Sequence, residues 1–169
     1  MTRTNAPLVE IDGLVKWFPL DRDRQVKAIN GVSLVIGRGE AVALVGESGS
    51  GKTTMGRCVV RLLEPTGGQI AFDGQDILAM EARAFRRLRP RIQMVFQEPY
   101  DSLNPRMRID RQLAEPLRML PQLGARAQQD RLAEALDMVR LPPSAMNRYP
   151  HQFSAGEQQR IGIARAIVT

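Results

Sequence analysis

Gly46-Glu47-Ser48-Gly49-Ser50-Gly51-Lys52-Thr53-Thr54 is the stretch of this chain whose residue types and spacing could do chemistry. It fits G-x-x-x-x-G-K-[ST], and the chemistry is the holding of phosphate. The three glycines let the backbone turn through conformations a Cβ would forbid, so that successive N–H groups can converge on one anion. Lys52 is placed to reach the β- and γ-phosphates of a nucleotide as a point charge. The Thr53 hydroxyl is placed to supply one ligand to a Mg²⁺ ion bridging the same phosphates. A Gly/Ser loop ahead of an ordinary helix is the bland alternative, and the flanking pattern argues against it.

Those flanks are the elements that must position the loop. Residues 41–45, Ala-Val-Ala-Leu-Val, read as a buried strand, and residues 52–63 as a helix with Met55, Val59 and Leu62 on one face. The positive end of that helix would add to the loop amides. Upstream, residues 8–11 fit a short strand, Gly13 a turn, and residues 14–18 its continuation. A polar loop, 21–25, leads to a run in which Val32, Leu34 and Ile36 alternate with Ser33 and Val35, and residues 37–40 turn the chain into 41–45. These early strands are expected to form an antiparallel flank.

Downstream, residues 65–68 form a turn, 69–72 a strand, and Asp73-Gly74 another turn. Residues 80–88 read as a helix that Pro90 stops. Residues 92–96 read as a second core strand ending on Gln97, followed by a proline-bearing loop, 98–105. Ile109, Leu113, Leu117 and Leu120 fall at helical spacing, with Pro116 kinking or dividing the segment. A clearer helix over 125–139 carries Leu132, Leu136 and Val139, and Leu141-Pro142-Pro143 ends it. A last helix runs to Thr169.

Composition narrows the classes. The 169 residues, 43% hydrophobic and 25% charged, suit one globular domain with a sizeable core. No stretch of eighteen apolar residues and no apolar leader occurs, so the chain reads as soluble and cytoplasmic. Cys58 is the only cysteine and His151 the only histidine, which excludes an internal disulfide, a Cys-rich zinc site and a His-pair metal site. Cys58 reads as a small buried thiol.

A net charge of +6 suggests anionic partners, but of 24 basic residues only Lys16, Lys27 and Lys52 are lysine, a skew that coding bias explains more simply than a nucleic-acid groove. The cluster Arg83, Arg86, Arg87, Arg89 and Arg91 could be a nucleic-acid patch, a lipid-facing patch or a solvated helix face. Aromatics make up 5% of the chain, too few for a base-stacking platform.

Three ordered motifs carry a resemblance. The phosphate loop, Gln97 after the second strand, and Phe153-Ser154-Ala155-Gly156-Glu157-Gln158-Gln159-Arg160 opening a helix resemble the nucleotide-binding subunit of an ABC transporter. Val95-Phe96-Gln97-Glu98-Pro99-Tyr100-Asp101-Ser102-Leu103-Asn104-Pro105 and Arg148-Tyr149-Pro150-His151-Gln152-Phe153-Ser154 narrow it to the oligopeptide, dipeptide and nickel importer branch.

The resemblance implies an α/β fold: a P-loop NTPase core of the RecA-like kind with an antiparallel β flank, plus an ABC helical subdomain, truncated. It implies a core over residues 1–97, a helical subdomain over 98–153 and a signature helix over 154–169. ATP and Mg²⁺ are the implied cofactors. Gly46, Glu47, Ser48, Gly49, Ser50, Gly51, Lys52, Thr53 and Thr54 would hold the phosphates, and Gln97 would sense the γ-phosphate through Mg²⁺ or the attacking water. Thr53 and Gln97 are thus the implied metal contacts, and Lys52 and Gln97 the implied catalytic pair. Phe18, with Trp17 as the alternate, is similar to the aromatic that stacks on adenine, although either could be a core aromatic. Ser154, Ala155, Gly156 and Glu157 are similar to the signature motif that closes on the nucleotide of a second subunit. Ser154-x-x-Glu157 is also a capping box, and the two readings are compatible.

The implied partners are a second ATPase subunit, transmembrane permease subunits meeting residues 99–120 and, indirectly, an extracytoplasmic solute-binding protein, with no nucleic acid. The implied place is the cytoplasmic face of the membrane, peripherally.

Departures matter as well. Ala155 stands where the family usually has glycine, and Glu157 where it often has glutamine. No apolar run in these residues ends in Asp-Glu, the family's Mg²⁺-orienting and water-polarising pair, and no histidine follows the signature motif. ATP hydrolysis by these residues alone is therefore expected to be poor, and a nucleotide-binding module without turnover is the rival reading. A DNA-handling ABC ATPase ranks below it, because no long heptad run or cysteine pair lies between Lys52 and Ser154.

Overall fold

A computed structural model describes residues 6–21, 24–97, 103–120 and 122–169. The chain divides into two compact units, Met1–Arg86 and Arg87–Thr169. Parts of two expected loops, 21–25 and 98–105, and of the expected permease-contact segment, 99–120, lie outside the described residues.

In the first unit, β1 (Val9–Pro19), β2 (Gln25–Ile36), β3 (Gly67–Phe72) and β4 (Gln75–Asp76) form an antiparallel sheet in the order β2-β1-β3-β4. Ile11 lies opposite Leu34 on one side and Ile70 on the other, so alternating apolar residues line up across the sheet. Gly13 does not break β1 in two as expected. It takes a left-handed φ of 55° where the register slips between Ile11 and Leu14, so the extra residue is absorbed as a bulge. Gly68 is required nearby, because a Cβ there would sit 2.6 Å from the Gly13 carbonyl oxygen and from Leu14 Cα. Asp73 and Gly74, at φ 53° and 75°, form the two-residue turn that the hand of a β-ribbon favours.

Helix α1 (Lys52–Val59) ends four residues earlier than expected. Arg61 adopts φ 51°, and Leu62 N–H reaches back to the Arg57 carbonyl, closing the helix. The Arg61 guanidinium donates to the Ile77 and Met80 carbonyls (2.9 and 2.7 Å), pairs with Glu64 and lies 5.2 Å from the Phe85 ring centre. Arg61 thereby fixes the end of α1 against the approach to α2 (Ala82–Leu88). Met55 and Cys58 form the buried face of α1; Val59 is half-buried and Leu62 is half exposed, contrary to the expected stripe.

The two expected core strands are not strands. Residues 41–45 pair with nothing in the sheet, and Val42, Leu44 and Val45 are exposed, Val45 by 90%. Residues 92–96 alternate half-buried Ile92, Met94 and Phe96 with exposed Gln93 and Val95, but also lack a ladder. Apolar runs of this kind belong inside a parallel sheet, where neighbours on both edges supply hydrogen bonds and helices cover both faces. Among the described residues no parallel neighbour is offered to either run.

The second unit packs α3 (Ile109–Leu117), α4 (Ala125–Met138) and α5 (Ala155–Ile167) around one core. Ile109, Leu113 and Leu117 from α3, Leu132 and Leu136 from α4, and Ile161 and Ala164 from α5 are its centre, with Val139 and Val168 just beyond the helix ends. Pro116 sits in the last turn of α3, next to its end, so it does not divide the helix. Gln112 is buried but satisfied: its side chain accepts from Asn104 N–H and donates to the Asn104 and Met107 carbonyls, which sets the chain leading into α3. No helix among the described residues is long and apolar enough to cross a membrane.

Candidate nucleotide-binding site

Gly51 is the pivot of the first unit's site. Its φ is 92°, and a Cβ added there would stand 2.2 Å from the Ala28 carbonyl oxygen of β2, so only glycine lets the loop lie against the sheet and start α1 at the next residue. The first turn of α1 holds no acidic residue, which leaves its positive end uncompensated from within. Lys52 curls back into the loop: its ammonium donates to the Gly46 carbonyl (2.7 Å), the Glu47 carbonyl and the Ser50 hydroxyl (3.1 Å). Residues 41–50 are exposed throughout, as is Thr53 in the first helical turn. A loop wrapped on an ammonium at a bare helix N-terminus matches the charge of a triphosphate. A Mg²⁺ ion bridging phosphates takes few protein ligands, and the exposed Thr53 hydroxyl suits it. Among the described residues no three His, Cys, Asp or Glu side chains cluster as a metal site.

Of the two aromatics, Trp17 is covered by Lys27, whose ammonium is 5.1 Å from its ring centre, and its indole N–H is buried without a partner among the described residues. Phe18 is 37% exposed, with the Lys16 ammonium 5.1 Å from its ring centre. Lys16 pairs in register with Ile29, whose Cγ1 lies 3.8 Å from where a Gly51 Cβ would be. Cys58 is buried as expected, and burial, offset in part by Lys16, pushes its thiol pKa up.

In the second unit Ser154 caps α5. Its hydroxyl accepts from Glu157 N–H (3.3 Å), while the Glu157 carboxylate accepts from the Ser154 N–H and hydroxyl, both at 2.8 Å. The backbone bond from Ser154, then its side chain, holds the Glu157 carboxyl below the ordinary range, with smaller help from Arg148 and Arg160. Ala155 and Gly156 are exposed in the first turn.

Two residues behind the motif were given no role by the sequence reading. Gln158 is buried and donates to the Pro150 and Phe153 carbonyls, fastening the preceding turn to α5. Gln159 donates to the Phe96 carbonyl at 3.3 Å, next to exposed Gln97. The signal for Gln158 was present: it falls on the stripe that continues through Ile161, Ala164 and Val168, where a polar residue stands out. None existed for Gln159, whose partner is a backbone atom far away in sequence. Phe18 and residues 46–54 thus belong to the first unit, and Gln97 and residues 154–157 to the second.

A glycine-rich phosphate loop opening a helix beside an antiparallel sheet, with a helical unit bearing a capped Ser-Ala-Gly-Glu turn, defines an α/β nucleotide-binding cassette of the P-loop class. The chain belongs to the ABC transporter family, whose profile matches residues 29–169. It is 51% identical over 165 residues to the Brucella ovis protein named "Putative peptide import ATP-binding protein", covering 97% of this chain and 51% of that one. It is 44% identical to the oligopeptide transport ATP-binding protein OppF of Salmonella typhimurium, over 95% of this chain and again 51% of the relative. The chain therefore spans about half the length of these curated relatives. Among solved structures it is similar to the ATP-binding cassette MJ0796 in a dimer bound to ADP and Pi, with TM-score 0.83, 28% identity, and coverage of 95% of this chain and 69% of that one. CbiO1 from Clostridium perfringens shares the fold at TM-score 0.77 and 23% identity, over 96% of this chain and 61% of that one.

Proposed function

We propose that this chain is the ATP-binding part of a subunit that energises an importer of peptides or related small solutes. The observation that carries the proposal is the Gly51–Lys52 junction, where a left-handed glycine starts α1 against β2 and the Lys52 ammonium lies inside the loop at that helix end. The names of the relatives, peptide import and oligopeptide transport ATP-binding proteins, supply the solute class.

Gly46, Glu47, Ser48, Gly49, Ser50, Gly51, Lys52, Thr53 and Thr54 hold the phosphates, and Phe18 faces adenine. Each ring has a lysine ammonium 5.1 Å from its centre, and Phe18 is preferred to Trp17 because it is exposed where Trp17 is half-buried. Thr53 and Gln97 are the residues that would hold a Mg²⁺ ion, and that ion would supply neutralisation of phosphate charge. Lys52 stabilises the same charge from the protein side. Ser154, Ala155, Gly156 and Glu157 meet the nucleotide held by a second ATPase subunit, in keeping with the dimeric solved relative. The proposed layout is a core over 1–97, a helical subdomain over 98–153 and a signature helix over 154–169. The partners are transmembrane permease subunits, reached through residues 99–120, with an extracytoplasmic solute-binding protein beyond them. The place is peripheral, at the cytoplasmic face of the membrane.

The family's Asp-Glu pair does not occur in these residues. A positioned base contributes about 10²- to 10⁴-fold in rate, so efficient turnover belongs to a protein that carries one. Genetic complementation tests the function. Deleting the whole gene in which these residues are encoded is expected to abolish uptake of a labelled oligopeptide, the whole gene to restore it, and the same gene carrying Lys52→Ala to fail. Uptake unaffected by the deletion would refute the assignment.

A further inference from the structure

The second unit contains a contact that none of the motif roles uses. Gln159 lies in the second turn of α5, half-buried, and its Nε2 donates 3.3 Å to the carbonyl of Phe96. Two residues beyond the far end of α5 the Thr169 hydroxyl donates to the Pro90 carbonyl at 2.9 Å. The segment between, residues 92–96, has no ladder among the described residues, so its run along α5 is fixed at both ends by side chains reaching backbone oxygens. Gln158, the neighbour of Gln159, is locked in the opposite sense, toward the Pro150 and Phe153 carbonyls, so α5 cannot roll without breaking one set of bonds. Gln97 follows Phe96 directly and is exposed.

We infer that Gln159 is a positioning residue for Gln97: by holding the Phe96 carbonyl it sets where the Gln97 side chain begins, and it ties that position to α5 and its capped Ser154. The inference rests on the proposed role of Gln97 in sensing the γ-phosphate. If Gln97 reads that group, loosening Phe96 weakens the binding of ATP but not of ADP, because ADP has no γ-phosphate to read.

The substitution Gln159→Glu keeps the shape and removes the donor, whereas Gln159→Lys keeps a donor of similar reach. Binding of Mg²⁺-ATP and Mg²⁺-ADP to the full chain is measured for both and for the unaltered protein, with melting temperatures to confirm folding. The expected result for Gln159→Glu is a fall in the ATP-over-ADP preference of about threefold to tenfold, at unchanged ADP affinity. Gln159→Lys is expected to keep the preference. A purely structural role would lower both affinities together and would contradict the inference, as would a preference identical in all three proteins. Absence of nucleotide binding by the unaltered folded protein would instead overturn the functional reading on which the inference stands. Should Gln159→Glu fail to fold, the comparison is carried by Gln159→Leu, for which the same loss of preference is expected and an intact one is contradictory.

Discussion

At the scale of single residues, what the sequence displays well is chemistry that depends on residue type at short spacing. Lys52, the glycines and Ser154-x-x-Glu157 all sit within one turn or loop of what they act on, so their pattern is their geometry. Arg61, Gln112 and Gln159 act on backbone carbonyls, which every residue possesses, and their sequence pattern therefore names no partner. Glu157 yields a test at this scale. Its folded pKa is lowered by the bonds from Ser154, so between the lowered and the ordinary value the unfolded chain binds more protons than the folded one. The stability it lends is present above the ordinary glutamate pKa and is lost as pH falls through the lowered one. In denaturant melts, Glu157→Gln is expected to be less stable than the unaltered protein near neutrality, with the gap closing in acid. A gap that stays constant with pH would show that the carboxylate charge is irrelevant to the cap.

At the scale of elements, helices were more legible than strands. The spacing of Ile109, Leu113 and Leu117 and of Leu132 and Leu136 names the buried faces of α3 and α4, because a helix satisfies its own backbone and needs only a partner for one stripe. Antiparallel strands were legible where turn chemistry is local, as at Asp73-Gly74. Residues 41–45 and 92–96 were legible as apolar but not as strands, since strand formation is a property of neighbours that the run itself does not contain. The end of α1 was missed because it is decided by Arg61 finding carbonyls at Ile77 and Met80. The core of the second unit can be tested in α4. Leu136 is fully buried, and Leu136→Ala is expected to cost about 2–5 kcal/mol in urea unfolding. Met138, 65% exposed two residues on, is expected to tolerate alanine within about 0.5 kcal/mol. Equal effects at the two positions would mean that α4 does not present the face described.

At the scale of the whole molecule, the chain belongs to the ABC transporter family, and the assembly proposed for it includes other subunits. In the proposed reading the signature turn meets a second subunit's nucleotide, and the chain matches about half the length of its peptide-import relatives. The central claim is nevertheless confined to one place, the loop that Gly51 turns and Lys52 fills. Isothermal titration of folded protein with Mg²⁺-ATP tests it most directly. Saturable binding is expected, weakened in Lys52→Ala by about 1.5–3 kcal/mol, the worth of charge-assisted contacts. Absence of binding by the unaltered protein, or equal affinity in Lys52→Ala, would contradict the account.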